Sequence, residues 1–208
     1  MKKLFTTLLA LCLLNTASFS DVKVGIILGF TGPIESLTPD MAAGAELAID
    51  EVNKSNHFSL GKVSAVRADS TCIDSSAATA AAERLITSDK VNGIMGADCS
   101  GVTTAILQQV ALANGVVMIS PSATSPALST VEDNNLFFRT APSDARQGQV
   151  VADILKDMGL KNIAISYVNN DYGKGLAASI ETNHKAAGGK VTISAPHEDD
   201  KGDYSAEV

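Results

Sequence analysis

Two short polar segments contain residue types suited to binding a small charged molecule. They are "GADCSG" at residues 96–101 and "SPSATS" at residues 120–125. Ser100 lies at the predicted start of a helix, where the backbone N–H groups of residues 101–103 are free of helical partners and favour an anion. Ser122 and Thr124 supply hydroxyl groups that both donate and accept, and the carbonyl groups of their loop accept from a cation. Together the two segments predict a site for a zwitterion.

Each segment also has a purely structural interpretation. Helix capping accounts for Ser100, and an ordinary loop accounts for residues 120–125. Their predicted adjacency favours binding, because each segment follows a strand and parallel sheets bind ligands beyond the carboxyl ends of their strands.

Two weaker candidates lie at equivalent places in the chain. The segment "NNDYGKG" follows a later strand and places Tyr172 where it would close over a ligand. The alternative is that Asp171 caps the helix and Tyr172 only packs. The segment "GFTGPIESL" places Leu37 or Glu35 at the rim of the same crevice. A simple turn at Gly32 explains this second segment as well.

The elements that must position these residues alternate regularly. Strands are predicted at 22–29, 62–69, 91–97 and 115–120. One helix is predicted to begin at Thr38, which would be its N-cap, a second to span residues 74–88 and a third to begin at Ser100. After the loop at 120–142, the pattern resumes with a helix from Ser143 to a Gly159 stop, strand 162–168, helix 172–187 and strand 190–195. This order predicts an α/β fold of two lobes, each a parallel sheet flanked by helices.

We expect residues 21–141 to form a first lobe that is incomplete, with residues 138–142 as the crossover. Residues 142–208 would begin the second lobe. The chain finishes in what reads as the opening turn of a helix capped by Asp203, so we expect the natural sequence to continue beyond Val208.

The first twenty residues predict a signal peptide. Lys2 and Lys3 precede an apolar stretch that is short and interrupted, and an uncleaved anchor is the alternative. Removing residues 1–20 lowers the net charge from −7 to −9, which gives the chain little electrostatic reason to bind nucleic acid. The composition is 45% hydrophobic and 4% aromatic, which predicts an aliphatic core.

Two cysteines remain after the leader, Cys72 and Cys99. In an exported chain an even pair suggests a disulfide, while two buried free thiols stay open as the alternative. Two sulfurs without a nearby histidine are too few for a metal site, so we expect no metal and no cofactor.

The sequence does not favour catalysis. His57, His184 and His197 are expected at a helix end, on a helix surface and in a loop after a strand, with no nucleophile forced near them. None of the common hydrolase, metalloprotease or nucleotide-binding motifs occurs. A hydrolase using Ser100 or Ser122 would require a histidine within hydrogen-bonding distance.

The ordered segments resemble a known family. The runs "VKVGIILGFTGPIE", "GAELAIDEVN", "GADCSG", "ISPSATSPALS", "FFRTAPSDARQGQVVADIL" and "NNDYGKGLA" are similar to type I periplasmic binding proteins of ABC transporters, particularly the leucine/isoleucine/valine binders. The resemblance covers essentially all of the chain after the leader, and members of this family are about twice as long.

The resemblance implies a role for each candidate site residue. Ser100 would bind the ligand's α-carboxylate, Tyr172 would contact the ligand from the second lobe, and Leu37 would face its side chain. The segment of Ser122, Ala123 and Thr124 would hold the ammonium and carboxylate groups. The resemblance also implies a disulfide that joins Cys72 to Cys99.

This sequence departs from the family in two ways. An aromatic residue is common in the family at the position of Leu37, so the pocket for the ligand's side chain is expected to differ. The family's acidic partner of the ammonium would lie beyond Val208.

The resemblance implies an exported, periplasmic and monomeric substrate-binding protein that delivers an amino acid to a membrane permease. A sensor that binds a small amide or amino acid and signals to a receptor or regulator is the alternative. Neighbouring genes distinguish the two, because a transporter gene cluster contains a permease and an ATPase.

Overall fold

The computed structural model describes residues 21–55, 58, 61–199 and 201–205. Two parallel sheets with flanking helices make up this part of the chain, as the alternating pattern predicts. The predicted signal peptide and His57 lie outside the described residues.

The first sheet has five parallel strands in the order β2-β1-β3-β4-β5. Its strands are β1 (Val22–Leu28), β2 (Val63–Asp69), β3 (Gly93–Gly96), β4 (Val117–Ser120) and β5 (Phe137–Arg139). Its helices are α1 (Thr38–Lys54), α2 (Ser75–Thr87) and α3 (Ser100–Ile106), and α3 continues through a π-helical turn at Leu107–Ala111 into a last turn at Leu112–Asn114. Because β3 and β4 are neighbours, the segments that follow them emerge side by side.

The core of this sheet is aliphatic, as its composition predicts. On one face, α2 and α3 bury Leu85, Ile106 and Met118 completely. On the other face, α1 covers Ile26 and Leu28 through Ala42. Helices thus pack against both faces of this sheet, beneath the strand tips from which the candidate segments emerge.

The second sheet has two parallel strands, β6 (Asn162–Val168) and β7 (Lys190–His197). Two helices accompany it, α4 (Asp144–Asp157) and α5 (Asp171–Ala186). Ser143 caps α4 as predicted, because its side chain accepts a hydrogen bond from the N–H of Ala145. Gly159 follows α4 with a φ of +70°, a left-handed conformation that suits glycine and ends a helix.

Three local predictions are wrong. Helix α1 begins at Thr38 with Leu37 as its N-cap, because the Thr38 hydroxyl donates to the carbonyl of Gly29 instead of capping the helix. His184 is 2% exposed and its Nε2 pairs with the Lys161 carbonyl, so it is not a surface residue. His197 lies at the end of β7 and not in a loop.

Within the described ranges, no helix has both the length and the apolar character required to cross a membrane.

Candidate functional site

A cavity of about 910 Å³ lies between the carboxyl ends of the two sheets. The residues that follow β3 and β4 form one wall, and the residues that follow β6 and β7 form the opposite wall. Of the sequence-predicted site residues, five line this cavity: Leu37, Ser100, Ser122, Thr124 and Tyr172. The cavity has the size that is typical of small-molecule sites, about 300 to 1,000 Å³.

Ser100 lies deep in this wall and is 2% exposed. Its hydroxyl oxygen accepts a hydrogen bond from the N–H of Ser125 at 3.1 Å, which joins the start of α3 to the loop after β4. A hydroxyl that accepts in this way keeps its own proton available for donation. Ser100 therefore offers a ligand a hydrogen-bond donor.

The first turn of α3 lies beside this hydroxyl. Gly101 and Val102 line the cavity, and N–H groups in the first turn of a helix have no partner within that helix. The sequence analysis also predicted a free N–H group at residue 103. That prediction is wrong, because the N–H of Thr103 donates to the carbonyl of Cys99 at 3.0 Å. The arrangement suits an anionic group.

The loop after β4 presents Ser122 and Thr124 to the cavity. The Ser122 hydroxyl donates to the Asp98 carbonyl at 3.0 Å, so its oxygen keeps lone pairs that accept. Ala123 is fully buried between these two residues and does not lie on the cavity wall. Its N–H donates to the Ser120 hydroxyl, and its carbonyl accepts from Arg139.

Two residues that the sequence analysis did not select hold this loop in place. Arg139 donates through Nη1 to the carbonyls of Ala123 and Ser125, at 3.2 and 2.9 Å. Asp144, which is 1% exposed, donates its N–H to the carbonyl of Thr124 at 2.9 Å. Burial raises the pKa of the Asp144 carboxyl, and the Thr124 hydroxyl and the charge of Arg139 lower it in part.

A sequence signal for Arg139 existed. It is the one charged residue in the extended run "LFFRTAP", and a charged side chain in a partly buried strand requires hydrogen-bonding partners. Asp144 gave no such signal, because an acidic residue in the first turn of a helix is ordinary.

The opposite wall comes from the start of α5. The side chain of Asn170, and not Asp171, caps this helix by accepting from the N–H of Gly173 at 2.8 Å. Tyr172 lines the cavity and is 43% exposed. A Cβ atom placed on Gly101 would lie 4.0 Å from the Asp171 carboxyl group, so the two walls nearly meet there.

One end of the cavity is apolar. Leu37 lines it together with Ile34, Met41 and Ile73. Leu37 and Ile73 are 56% and 61% exposed, so the apolar surface at this end is open. A hydrophobic group of a ligand would cover it with a gain of about 25 cal/mol per Å² of apolar surface removed from water.

Asp69 positions the loops at this apolar end. Its carboxylate accepts from the Thr31 hydroxyl at 2.6 Å and from the N–H of Thr71 at 2.8 Å. Burial acts to raise the pKa of Asp69, but these hydrogen bonds outweigh it and the pKa lies below its usual value. The ionised carboxylate thus stabilises the loop connections on both sides of it.

Cys72 and Cys99 form a disulfide. Both cysteines line the cavity, and Cys99 immediately precedes Ser100. The bond ties the loop after β2 to the start of α3, so it holds the apolar end and the polar wall of the cavity together.

The described histidines do not hydrogen-bond the two candidate serines. His184 is buried beside Lys161, and Nδ1 of His197 hydrogen-bonds the Ser166 hydroxyl at 2.8 Å. The hydroxyls of Ser100 and Ser122 instead pair with backbone groups. Across the ranges that the structure describes, no group of three histidine, cysteine or acidic residues is arranged to hold a metal ion.

The family model for the receptor family ligand binding region matches residues 40–206. A Leu/Ile/Val-binding protein homologue of Brucella melitensis is 34% identical over 88% of this chain and 48% of its own length. A Leu/Ile/Val-binding protein of Citrobacter freundii is 33% identical over 92% of this chain and 52% of its own length. The chain thus spans about half the length of these curated relatives.

Solved structures of amino-acid-binding proteins are also similar to this chain. A leucine-binding protein of Thermotoga maritima superposes with a TM-score of 0.79 and 26% identity, covering 89% of this chain and 51% of its own. A branched-chain amino-acid transporter substrate-binding protein of Streptococcus pneumoniae, solved with isoleucine, gives a TM-score of 0.78 and 25% identity, covering 90% and 53%. The chain therefore belongs to the type I periplasmic binding proteins, in the family of branched-chain amino-acid substrate-binding proteins of ABC transporters.

Proposed function

We propose that the protein is an exported, monomeric substrate-binding protein of an ABC transporter that binds a branched-chain amino acid and delivers it to a membrane permease. The observation that carries the proposal is the single cavity wall that presents Ser100, Ser122 and Thr124 together. Family membership and the names of the relatives support the same role, and they describe binding proteins and not enzymes.

In the proposed mode, the α-carboxylate of the ligand lies at the start of α3. The Ser100 hydroxyl donates to it, and so do the N–H groups of Gly101 and Val102. The positive end of the helix dipole contributes in the same direction. The N–H of Ser125 already occupies the acceptor side of the Ser100 hydroxyl, which leaves that hydroxyl to act as a donor.

The ammonium group lies toward the loop after β4 in this mode. The Ser122 carbonyl and the Thr124 hydroxyl oxygen accept from it. The acidic side chains of Glu198 and Asp199 also line the cavity and favour a cationic group, and Lys174 is the basic side chain among the cavity residues that the structure describes.

The aliphatic side chain lies at the apolar end of the cavity, against Leu37 and Ile73. Leu37 leaves more room there than the aromatic residue that is common in the family would. Tyr172 contacts the ligand from the opposite wall, which makes the ligand a bridge between the two sheets.

Residues 21–141 and 142–208 act as separate lobes in this mechanism. A ligand that touches both lobes stabilises the closed arrangement by its differential affinity for that state, and a ligand that touched one lobe alone would shift little. Closure gives the permease a signal that the protein is loaded. Function in this mode requires export to the periplasm, for which residues 1–20 are the expected signal.

Calorimetry with the full-length protein tests this proposal. We expect leucine, isoleucine or valine to bind, with aspartate and lysine binding at least a hundredfold more weakly. Equal binding of all five amino acids, or of none, contradicts the proposed function.

A further inference from the structure

The buried carboxyl group of Asp98 lies at the junction of three strand ends. Asp98 follows β3 and is 2% exposed. Its Oδ2 atom accepts a hydrogen bond from the N–H of Gly29 at 2.6 Å. Its Oδ1 atom accepts from the N–H of Cys99 at 2.9 Å and from the Ser70 hydroxyl at 3.1 Å. One side chain thus connects the segments that follow β1, β2 and β3.

The contact with Gly29 continues to the apolar end of the cavity. The carbonyl of Gly29 accepts from the Thr38 hydroxyl at 3.1 Å, and Thr38 is fully buried directly after Leu37. Gly29 is also tightly enclosed, because a Cβ atom placed there would lie 3.2 Å from Cβ of Cys72 and 3.3 Å from Oδ2 of Asp98. Asp98 is therefore connected to Leu37 by a short relay of buried hydrogen bonds.

The contact with Ser70 leads to the other side of the apolar end. Ser70 is fully buried, and its N–H donates to the carbonyl of Leu28 at 2.9 Å, so it is held at β1 as well as at Asp98. Ile73, which lines the apolar end, follows three residues later. Asp98 thus contacts the first residue of each loop that leads to Leu37 or Ile73.

The third contact of Asp98 fixes the polar wall. Cys99, whose N–H donates to this carboxyl group, is the N-cap of α3 and precedes Ser100. The main-chain carbonyl of Asp98 also accepts from the Ser122 hydroxyl at 3.0 Å, which adds the loop after β4. The side chain and backbone of this one residue therefore hold the polar wall and the apolar end at a single separation.

We propose that Asp98 is a positioning residue that lets a ligand whose carboxylate is bound at α3 reach the apolar end with its side chain. This inference rests on the proposed function and deepens it, because it assigns the selection of a longer aliphatic side chain over a short one. A ligand gains from both the anchor and the apolar surface only when their separation matches its length, and a preformed separation lowers the cost of binding. Each CH₂ group that is then buried raises the affinity about fourfold.

The test compares leucine with alanine, which has the same head group and a shorter side chain, by calorimetry on the full-length protein. In Asp98→Asn, the side-chain oxygen can still accept from the N–H of Cys99, but the amide group then faces the N–H of Gly29 and cannot accept from it. We expect leucine to bind about tenfold more weakly, as when a buried hydrogen bond is lost and its donor stays unpaired. The affinity for alanine should change less than about twofold, because alanine does not reach the apolar end.

Thr38→Val is a second variant, because it removes the hydroxyl that joins Gly29 to α1 and keeps the shape of the side chain. It should also lower the ratio of the leucine affinity to the alanine affinity. The two substitutions together should lower this ratio by less than the product of their separate effects, since they act on one relay. Thermal melts show whether each variant folds, and Thr38→Val keeps the test decisive if Asp98→Asn does not fold.

Asp50→Asn is the matched control. It makes the same chemical change at an exposed position of α1 that lies outside the cavity wall. We expect it to leave the ratio of the two affinities unchanged.

The outcomes separate the two proposals. If the wild-type protein binds neither amino acid, both proposals fail. If it binds both equally well, or if Asp98→Asn and Thr38→Val change both affinities by the same factor, the binding role stands and this inference alone is overturned. Effects of the two substitutions that multiply in the double variant also overturn it, because the two residues then act independently and not through Gly29.

Discussion

The N–H of Ser125 donates a hydrogen bond to the hydroxyl of Ser100 at 3.1 Å, and both residues are 2% exposed. This bond connects the helix that follows β3 with the loop that follows β4. It brings two segments that are 25 residues apart onto one wall of the cavity. The geometry that the proposed site requires thus rests on a direct and buried contact.

Replacing Ser100 by alanine removes both functions of this hydroxyl. Loss of the donor to a charged carboxylate should weaken leucine binding about ten- to a hundredfold. The N–H of Ser125 is left buried without its acceptor, which should lower the free energy of unfolding by about 1 to 3 kcal/mol. Calorimetry and urea denaturation measure the two effects separately.

Ser76→Ala is the matched control, because Ser76 is exposed in the first turn of α2 and lies outside the cavity wall. We expect its affinity for leucine to equal that of the wild-type protein. A Ser100→Ala protein with unchanged affinity would refute the assigned role of Ser100.

Gly175 allows α5 to approach the loop after β4. A Cβ atom at this position would lie 2.8 Å from Cδ of Pro126 and 3.1 Å from Oγ of Ser125, and the proline ring cannot turn away. Gly175→Ala should push the helix from the loop at a cost of about 1 to 3 kcal/mol. Leucine affinity should fall, because the wall that contains Tyr172 moves with the helix.

Gly44→Ala provides the control for this substitution. Gly44 lies in α1 with open space around its Cβ position, so alanine there should stabilise the protein by up to about 1 kcal/mol and leave binding unchanged. If Gly175→Ala binds leucine as tightly as Gly44→Ala, the close approach does not affect the site.

Removing the disulfide with Cys72→Ser and Cys99→Ser together should destabilise the fold. The two cysteines are separated by 27 positions, and closing a loop of that length contributes about 3 to 4 kcal/mol in the chain-entropy model. Leucine affinity should also fall, because both cysteines line the cavity. Thermal melts of the wild-type protein and the double variant, each with and without reductant, measure the loss of stability. Reductant should lower the melting temperature of the wild-type protein and leave that of the double variant unaffected.

The alternation of strands and helices made the parallel sheets and the adjacency of the segments after β3 and β4 predictable from the sequence. Local periodicity determines where strands end, and strand ends determine where a parallel sheet binds. Arg139 gave a sequence signal only as a charged residue that requires partners. Which groups Arg139 and Asp144 hold was not predictable, because each depends on contact with a loop that packs against it only in the folded chain. The burial of His184 has the same origin, since Gly189 packs directly against its ring.

Asp69→Asn should destabilise the protein in a pH-dependent way. The pKa of Asp69 is lowered in the folded state, so its contribution to stability is complete above its unfolded pKa and is lost as the pH falls through the folded value. We expect a loss of about 1 to 2 kcal/mol at pH 7. The difference from the wild-type protein should shrink below about pH 4.

Urea denaturation at pH 7 and pH 3 measures this dependence. Asp50→Asn, at an exposed position of α1, serves as the control and should match the wild-type protein at both values. A destabilisation of Asp69→Asn that is equal at the two pH values would show that the ionised carboxylate is not the cause.

A crystal structure of the full-length protein with leucine tests the central claim most directly. We predict the ligand's carboxylate within hydrogen-bonding distance of the Ser100 hydroxyl and the first N–H groups of α3, and its ammonium within the same distance of the Thr124 hydroxyl oxygen. Leucine bound outside this cavity, or bound with its carboxylate toward Thr124 and its ammonium toward Ser100, would contradict the account.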